Sequence, residues 1–457
     1  MTGFSRPKSN GGLLIENGTV LTMDARSTVH SPGWVWVEGD RVQAGGPGSP
    51  PTSLVRRAQR TIDATHMAVL PGLVNAHTHL SQTFMRGVGD DMSLLDWLNH
   101  AVWPIQAEMT PDDMRLAALL GLVENVRCGA TAVVQHHKIL TTPRHVDAAA
   151  EAAAAVGLRM LLARSWVDVG PAAESYDNTV AEMGRLRDRW HGAADGRISI
   201  GFGPLAPWRC SEDTMRRTLA LSREWGLPTH IHVAESRDEI EMVHRRTGLG
   251  HIDWLDSLGA LGPDLHLVHC IWIDEREMDR VAQSGCLVVH CPVSNMYLAS
   301  GVAPLRDMLK RSIPIAIGTD GPSSHNCQDL LETLKVAVLL AKVTTGDPTV
   351  LATMTALRMV TAVGGQVFGR EDLGHIAPGA KADIVIVDLD NARCAPVHRP
   401  ESALLYSAVG PDVRFTIVDG QILLDDGRVA VLDEESLRTE CRGAARDLLS
   451  RAGVPTT

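Results

Sequence analysis

Two histidines separated by a single residue, His77 and His79, close an apolar run that begins at position 68. Residues two apart in an extended chain point to the same side, so both imidazoles can face one cation. Neutral imidazole is a common zinc ligand. A second pair, His230 and His232, ends the run 228–233, and the carboxylate of Glu235 follows in the next loop, placed to take a proton from a metal-bound water. His232 lies nearer the strand end and is read as the ligand, His230 as a hydrogen-bonded core residue. His269 ends the run 265–269, with His266 on the opposite face as a structural residue. Asp320 leaves the run 313–318 directly into a glycine-bearing turn, where a charge seldom persists without a partner. Each of these residues alone has an ordinary explanation in a core or a loop. Together they predict one metal centre with a proton carrier beside it.

Such a centre needs strands whose ends converge. Apolar runs at 68–74, 130–134, 158–163, 198–203, 228–233, 265–269, 286–290 and 313–318 alternate with helical segments such as 112–128 and 329–343. Buried strands alternating with helices predict an α/β fold, a (β/α)8 TIM barrel, whose functional side chains sit at the C-terminal strand ends. The alanine run at 148–155 reads as a helix packed closely on that barrel. Short extended segments with Asp-Gly and Asn-Gly turns flank it at both ends of the chain, over 13–23, 35–42 and 61–63 and again over 382–388 and 415–423. The expected organisation is a disordered tail over 1–12, then a small β-sandwich domain formed from both termini (13–67 plus 376–430). The barrel spans 68–375, and a C-terminal helix over 431–457 packs on the barrel or the sandwich.

The chain's 457 residues, 44% of them hydrophobic, suffice for a large core. With 43 basic and 54 acidic residues, the net charge of -11 argues against a nucleic-acid or anionic-membrane surface. The eight scattered cysteines form no CxxC pair and read as reduced core thiols. No apolar stretch approaches the length of about 20 residues that spans a bilayer, and 1–12 lack a signal-peptide core. A cytoplasmic protein is expected.

The motifs PGLVNAHTHL, HVAES, VHC, PVSN at 292–295, GTDG and PGAKADIVIVD at 378–388 resemble the amidohydrolase superfamily over nearly the whole chain. They are most similar to its mononuclear aminohydrolase branch, which contains cytosine, guanine, 8-oxoguanine, isoxanthopterin and adenosine-like deaminases and the triazine hydrolases. The resemblance implies His77, His79, His232 and Asp320 as metal ligands, Glu235 as proton shuttle, and His269 as the residue that holds the attacking water or substrate. Asp320 would also accept a hydrogen bond from that water. Binuclear members bridge two metals through a lysine or glutamate of strand four, and 198–203 offers neither, so one divalent ion is expected. Zinc is the first choice and iron the alternative. Bound to it, water would have its pKa lowered towards about 7.

For substrate binding, Gln82 matches a substrate-facing glutamine of guanine-type and triazine-type members, and its amide both donates and accepts. Trp97, Trp103 and Trp208 could stack on a flat ring. Gln135, His136 and His137 end strand two, and which of them touches ligand is left open, with His137 carried forward. Ser324 and Asn326 are expected to line the pocket, and Asn295 to brace the loop of Ser294. Leu205 stands where adenosine-like members carry a histidine and guanine deaminases an arginine, and Arg209 lies close enough to compensate. The implied activity is hydrolytic deamination of a guanine-, 8-oxoguanine-, pterin- or cytosine-like heterocycle. The alternative is an s-triazine chlorohydrolase or aminohydrolase; hydrolysis of a cyclic imide and a non-enzymatic scaffold fit less well. A small-molecule partner follows from either reading, and many relatives are homodimers or larger.

Overall fold

In the computed structural model, which describes residues 12–454, eight strands follow one another around a barrel. They are β1 (Leu73–Thr78), β2 (Ala130–His136), β3 (Arg159–Trp166), β4 (Ile198–Pro204), β5 (Thr229–Val233), β6 (Leu265–His269), β7 (Leu287–His290) and β8 (Ile315–Ile317). Each pairs in parallel with the next. Nearly every strand residue is buried, as expected where helices cover one face and barrel side chains fill the other.

The intervening helices begin and end where local chemistry dictates. Thr110 with Asp113, Ser236 with Glu239, and Asp274 with Glu277 form reciprocal capping boxes at three N-termini. Gly157, Gly248 and Gly285 close three C-termini in the left-handed conformation that glycine adopts without strain. The alanines of Pro143–Val156 are largely buried, so this helix approaches the barrel closely.

No ladder joins β8 to β1. The seam is closed by the Asp320 amide donating to the His77 carbonyl at 3.0 Å, and by Asn75. The Asn75 side chain accepts from Thr319 N at 3.1 Å and donates to Thr319 Oγ1 at 2.8 Å. Gly318 permits this approach, because a Cβ there would lie 2.7 Å from the His77 Cβ. The seam therefore sets His77 beside Asp320.

A second, mixed sheet takes strands from both ends of the chain. Gly12–Leu21, Val29–Glu38, Arg41–Pro47, Ala58–Asp63 and Met67–Pro71 join Ile384–Asp388, Val413–Val418, Gln421–Asp425 and Arg428–Val429. Its own core includes Ile15, Val35, Val69, Ile384 and Ile417. One expectation is corrected here. The apolar run 68–74 is two strands, not one. Met67–Pro71 pairs antiparallel with Ile384–Asp388, and the barrel begins at Leu73, because Gly72 N turns to bond the Asp383 carbonyl at 2.9 Å. Arg159, 1% exposed at the start of β3, pairs with Asp383 and Asp419 and ties the barrel floor to this sheet. The helix Glu434–Arg451 packs on Pro111–Arg127, with an Arg127–Glu434 pair at 2.8 Å.

The tail expected over 1–12 lies outside the described residues except for Gly12, the first residue of Gly12–Leu21. Among the described residues no helix is long and apolar enough to cross a membrane. All eight cysteines are free thiols, six buried and Cys128 and Cys327 partly so.

Candidate metal centre and active site

Three imidazoles and one carboxylate from β1, β5 and β8 meet at the C-terminal mouth of the barrel. His77 Nε2 and His79 Nε2 lie 3.4 and 3.3 Å from Asp320 Oδ1, and His232 Nε2 lies 3.3 Å from His79 Nε2. The opposite nitrogen of each ring is already engaged. His79 Nδ1 meets the His136 carbonyl at 2.8 Å, His232 Nδ1 the Leu205 carbonyl at 2.7 Å, and His77 Nδ1 meets His230 Nε2 at 2.9 Å. A ring that donates through Nδ1 presents the Nε2 lone pair, the form in which imidazole binds a metal. His77 Nε2 is buried with no hydrogen-bond partner among the described residues. Burial also pushes the His77 imidazole down to about 4, which keeps the ring neutral near pH 7. The donor set fits a divalent cation.

The Asp320 carboxylate is fixed from two sides. Gly321 N donates to Oδ1 and Ser294 Oγ to Oδ2, each at 2.7 Å, and Ser294 is held in turn by Ser324 Oγ at 2.9 Å. Burial works against its charge, but His77 and His79 outweigh that and hold the carboxyl well below the usual range. Asp320 and His269 both carry positive φ, 62° and 74°. Non-glycine residues enter this region at a cost of about 1–3 kcal/mol, and such strain concentrates at functional sites.

Glu235 lies just beyond β5, 4% exposed, with Oε2 3.3 Å from His269 Nε2. Burial, with Glu239 and Asp320 nearby, pushes its carboxyl well above the ordinary value. His269 Nδ1 faces Asn295 Oδ1 at 2.9 Å, so Nδ1 carries the hydrogen and Nε2 faces the Glu235 carboxyl. The arrangement sets a carboxyl whose pKa burial raises beside the Nε2 of His269, at the edge of the ligand cluster.

These groups open onto a cleft whose empty space, its solvent-facing part included, is about 630 Å³. Gln82, Trp97, Trp103, His136, His137, Trp208 and Leu205 line it. Gln82 Oε1 is buried without a partner, and Gly321 makes room for it, since a Cβ there would fall 1.8 Å away. The Arg209 guanidinium lies 5.2 Å from both the Trp103 and Trp208 rings and bonds the backbone carbonyls of Val169 and Pro171, so it stiffens the aromatic wall from behind. Of the three residues ending β2, Gln135 is turned away, its Oε1 accepting from Leu80 N at 2.7 Å, while His136 and His137 face the cavity. Ser324 does not line the cavity as expected: it sits one layer back, where its hydroxyl supports Ser294. Asn326 caps the Gly87 amide at 2.9 Å instead of lining the pocket.

Two charged lining residues were not singled out from the sequence. Glu239 is buried and accepts from Trp208 Nε1 at 2.8 Å, but its spacing from Ser236 is that of a capping box, a role it also fills. Lys138 is a charged residue directly after the histidine pair of β2, and that position was its only signal. His230 proves to be the partner of a ligand-set ring, so His230→Leu is expected to weaken metal affinity by about 10–100-fold, read by competition with a chelator.

Comparison with known proteins agrees with this construction. The model of the amidohydrolase family matches residues 68–423. A 5-methylthioadenosine/S-adenosylhomocysteine deaminase of Pelotomaculum thermopropionicum is 36% identical over 440 residues, covering 96% of this chain and 99% of its own. An adenosine deaminase from Xanthomonas campestris, solved with bound zinc, superposes with a TM-score of 0.90 at 31% identity, covering 97% of this chain and 100% of its own. An atrazine chlorohydrolase from Arthrobacter aurescens, solved with zinc, gives a TM-score of 0.89 at 26% identity over 95% of this chain and 100% of its own. The matched motifs, the barrel and the histidine–aspartate cluster carry one conclusion: the chain belongs to the amidohydrolase family, as an aminohydrolase acting on C–N bonds.

Proposed function

We propose that the protein is a hydrolytic deaminase of a 6-aminopurine nucleoside, releasing ammonia, with one zinc ion held by His77, His79, His232 and Asp320. The observation that carries this reading is the buried Glu235, 3.3 Å from His269 and facing both the ligand cluster and an aromatic-walled cavity. Relatives named for adenosine-type substrates and similar over nearly the full length support the purine nucleoside over the guanine-, pterin- or cytosine-like class. A divalent cation held in the ligand cluster would lower the pKa of a bound water towards about 7.

The chain's own residues do the rest. Glu235 takes a proton and delivers it to the ring nitrogen beside the amino-bearing carbon, which removes aromaticity as the water oxygen adds. His269, its tautomer set by Asn295, holds the nucleophile against that carbon together with Asp320. Asp320 or Glu235 then returns a proton to the departing amine. Trp103 and Trp208 stack on the flat ring, while Gln82 supplies the edge contact that the apolar Leu205 cannot. Ammonia release from adenosine, 5-methylthioadenosine, guanine, isoxanthopterin and cytosine, with chloride release from atrazine, tests the reading. Turnover is expected on the two adenosines. Turnover confined to guanine, the pterin, cytosine or the chlorotriazine would refute it.

A further inference from the structure

The cavity holds one cation that the deamination mechanism does not use. Lys138 follows β2, is 3% exposed, and lines the same space as Glu235, Trp103 and Trp208. Among the described residues it forms no ion pair; its single hydrogen bond runs from Nζ to the Gln106 carbonyl at 3.1 Å, in the helix Trp103–Glu108. An ammonium has three donors, so two stay open, and a buried charge without a counter-charge is unfavourable. Beside it, His137 Nδ1 is buried with no partner, while its Nε2 meets Thr141 Oγ1 at 2.9 Å. Two other buried basic side chains of this barrel are neutralised within the fold, Arg159 by Asp383 and Asp419 and Arg164 by Glu174, while buried Arg209 spends its donors on the Val169 and Pro171 carbonyls outside the cavity lining. Bracing the helix alone would need a donor but no charge. Burial draws the Lys138 amine down to about 8, so the group is still mostly protonated near pH 7.

We infer that Lys138, with His137, is the anchor for an anionic substituent on the substrate, and that the enzyme selects aminopurine nucleosides bearing a carboxylate over neutral ones. This rests on the deaminase reading above and narrows its substrate class. A carboxylate offers two acceptor oxygens, one for the Lys138 ammonium and one for the His137 ring nitrogen, and it supplies the missing counter-charge. A single lysine with one carbonyl already attached matches a monoanion better than a doubly charged phosphate.

The test measures kcat/KM for ammonia release from S-adenosylhomocysteine, which carries a carboxylate, and from 5-methylthioadenosine, which does not, with adenosine 5′-monophosphate as the phosphate arm. Wild-type enzyme is expected to favour the carboxylate substrate. Lys138→Met, close in length and uncharged, is expected to lower the ratio of the two values by about ten- to a hundredfold, the loss of one charge-assisted hydrogen bond. An unchanged ratio in Lys138→Met overturns the inference, as does a wild-type preference for the neutral nucleoside or for the phosphate. The wild-type preference is decisive by itself if Lys138→Met does not fold. Absence of ammonia from all three substrates would instead count against the deaminase reading.

Discussion

Glu235→Gln is expected to lower turnover by about 10²–10⁴-fold, the usual worth of a positioned acid–base group, while metal content stays at the wild-type level. The side chain is no part of the ligand cluster; its Oε2 faces His269 at 3.3 Å and its Oε1 lies 3.5 Å from Ser300 Oγ. Glutamine preserves that shape and can neither take nor give the proton. The pH profile supplies a second readout. Burial, then Glu239 and Asp320, raise the Glu235 carboxyl well above its ordinary 4.5. The ionised form that must accept a proton is therefore lost as pH falls through that raised value, so kcat/KM should decline on the acid side well above the usual carboxylate range. Glu235→Gln should flatten this limb. Stability moves oppositely. A carboxyl with a raised folded-state pKa stabilises the fold below the unfolded value, and that contribution disappears as pH rises through the folded value. Metal-free Glu235→Gln should therefore unfold at a higher temperature than metal-free wild type near pH 7 and above. A variant within a few-fold of wild-type turnover would remove Glu235 from the proton path.

The strand ends were legible because strand geometry has a short period. Two residues apart means one face, and each of β1, β5 and β6 carries a histidine at or beside its C-terminal end that is aimed at the mouth. The start of β1 was not legible, since 68–74 is uniformly apolar and the break at Gly72 depends on a hydrogen bond to Asp383, far along the chain. The same limit applies to β2. Alternation alone could not choose among Gln135, His136 and His137, because the choice is made by Leu80 N capturing the Gln135 side chain. Ser324 was visible just beyond Asp320 and Ser294 in the loop after strand seven, but only the three-dimensional packing shows that one hydroxyl supports the other against Asp320. Glu239 illustrates a different obstacle: a capping-box spacing gave it a complete local explanation, which hid its second role in the cavity wall.

Asp320→Asn should be at least as damaging, by about 10³-fold in turnover, and unlike Glu235→Gln it should also strip the metal. The carboxylate has two jobs that one amide cannot fill. Its Oδ1 faces the His77 and His79 nitrogens as the only anionic donor of the cluster, and its Oδ2 is the acceptor for Ser294. Asparagine keeps one oxygen: turned towards the imidazoles it sets an NH2 against the Ser294 hydroxyl, and turned the other way it sets an NH2 against the cation. Removing the negative charge also leaves a divalent cation in a buried site with neutral ligands alone, where desolvation opposes it most strongly. Backbone placement survives the exchange, because the seam bond from Asp320 N to the His77 carbonyl is untouched and asparagine tolerates the positive φ of 62° well. The fold should thus persist while the metal is lost, a separation that circular dichroism and metal analysis of the same sample can read. Stoichiometric zinc in a folded Asp320→Asn protein would show that the histidines alone hold the ion, and would remove the aspartate from the ligand set.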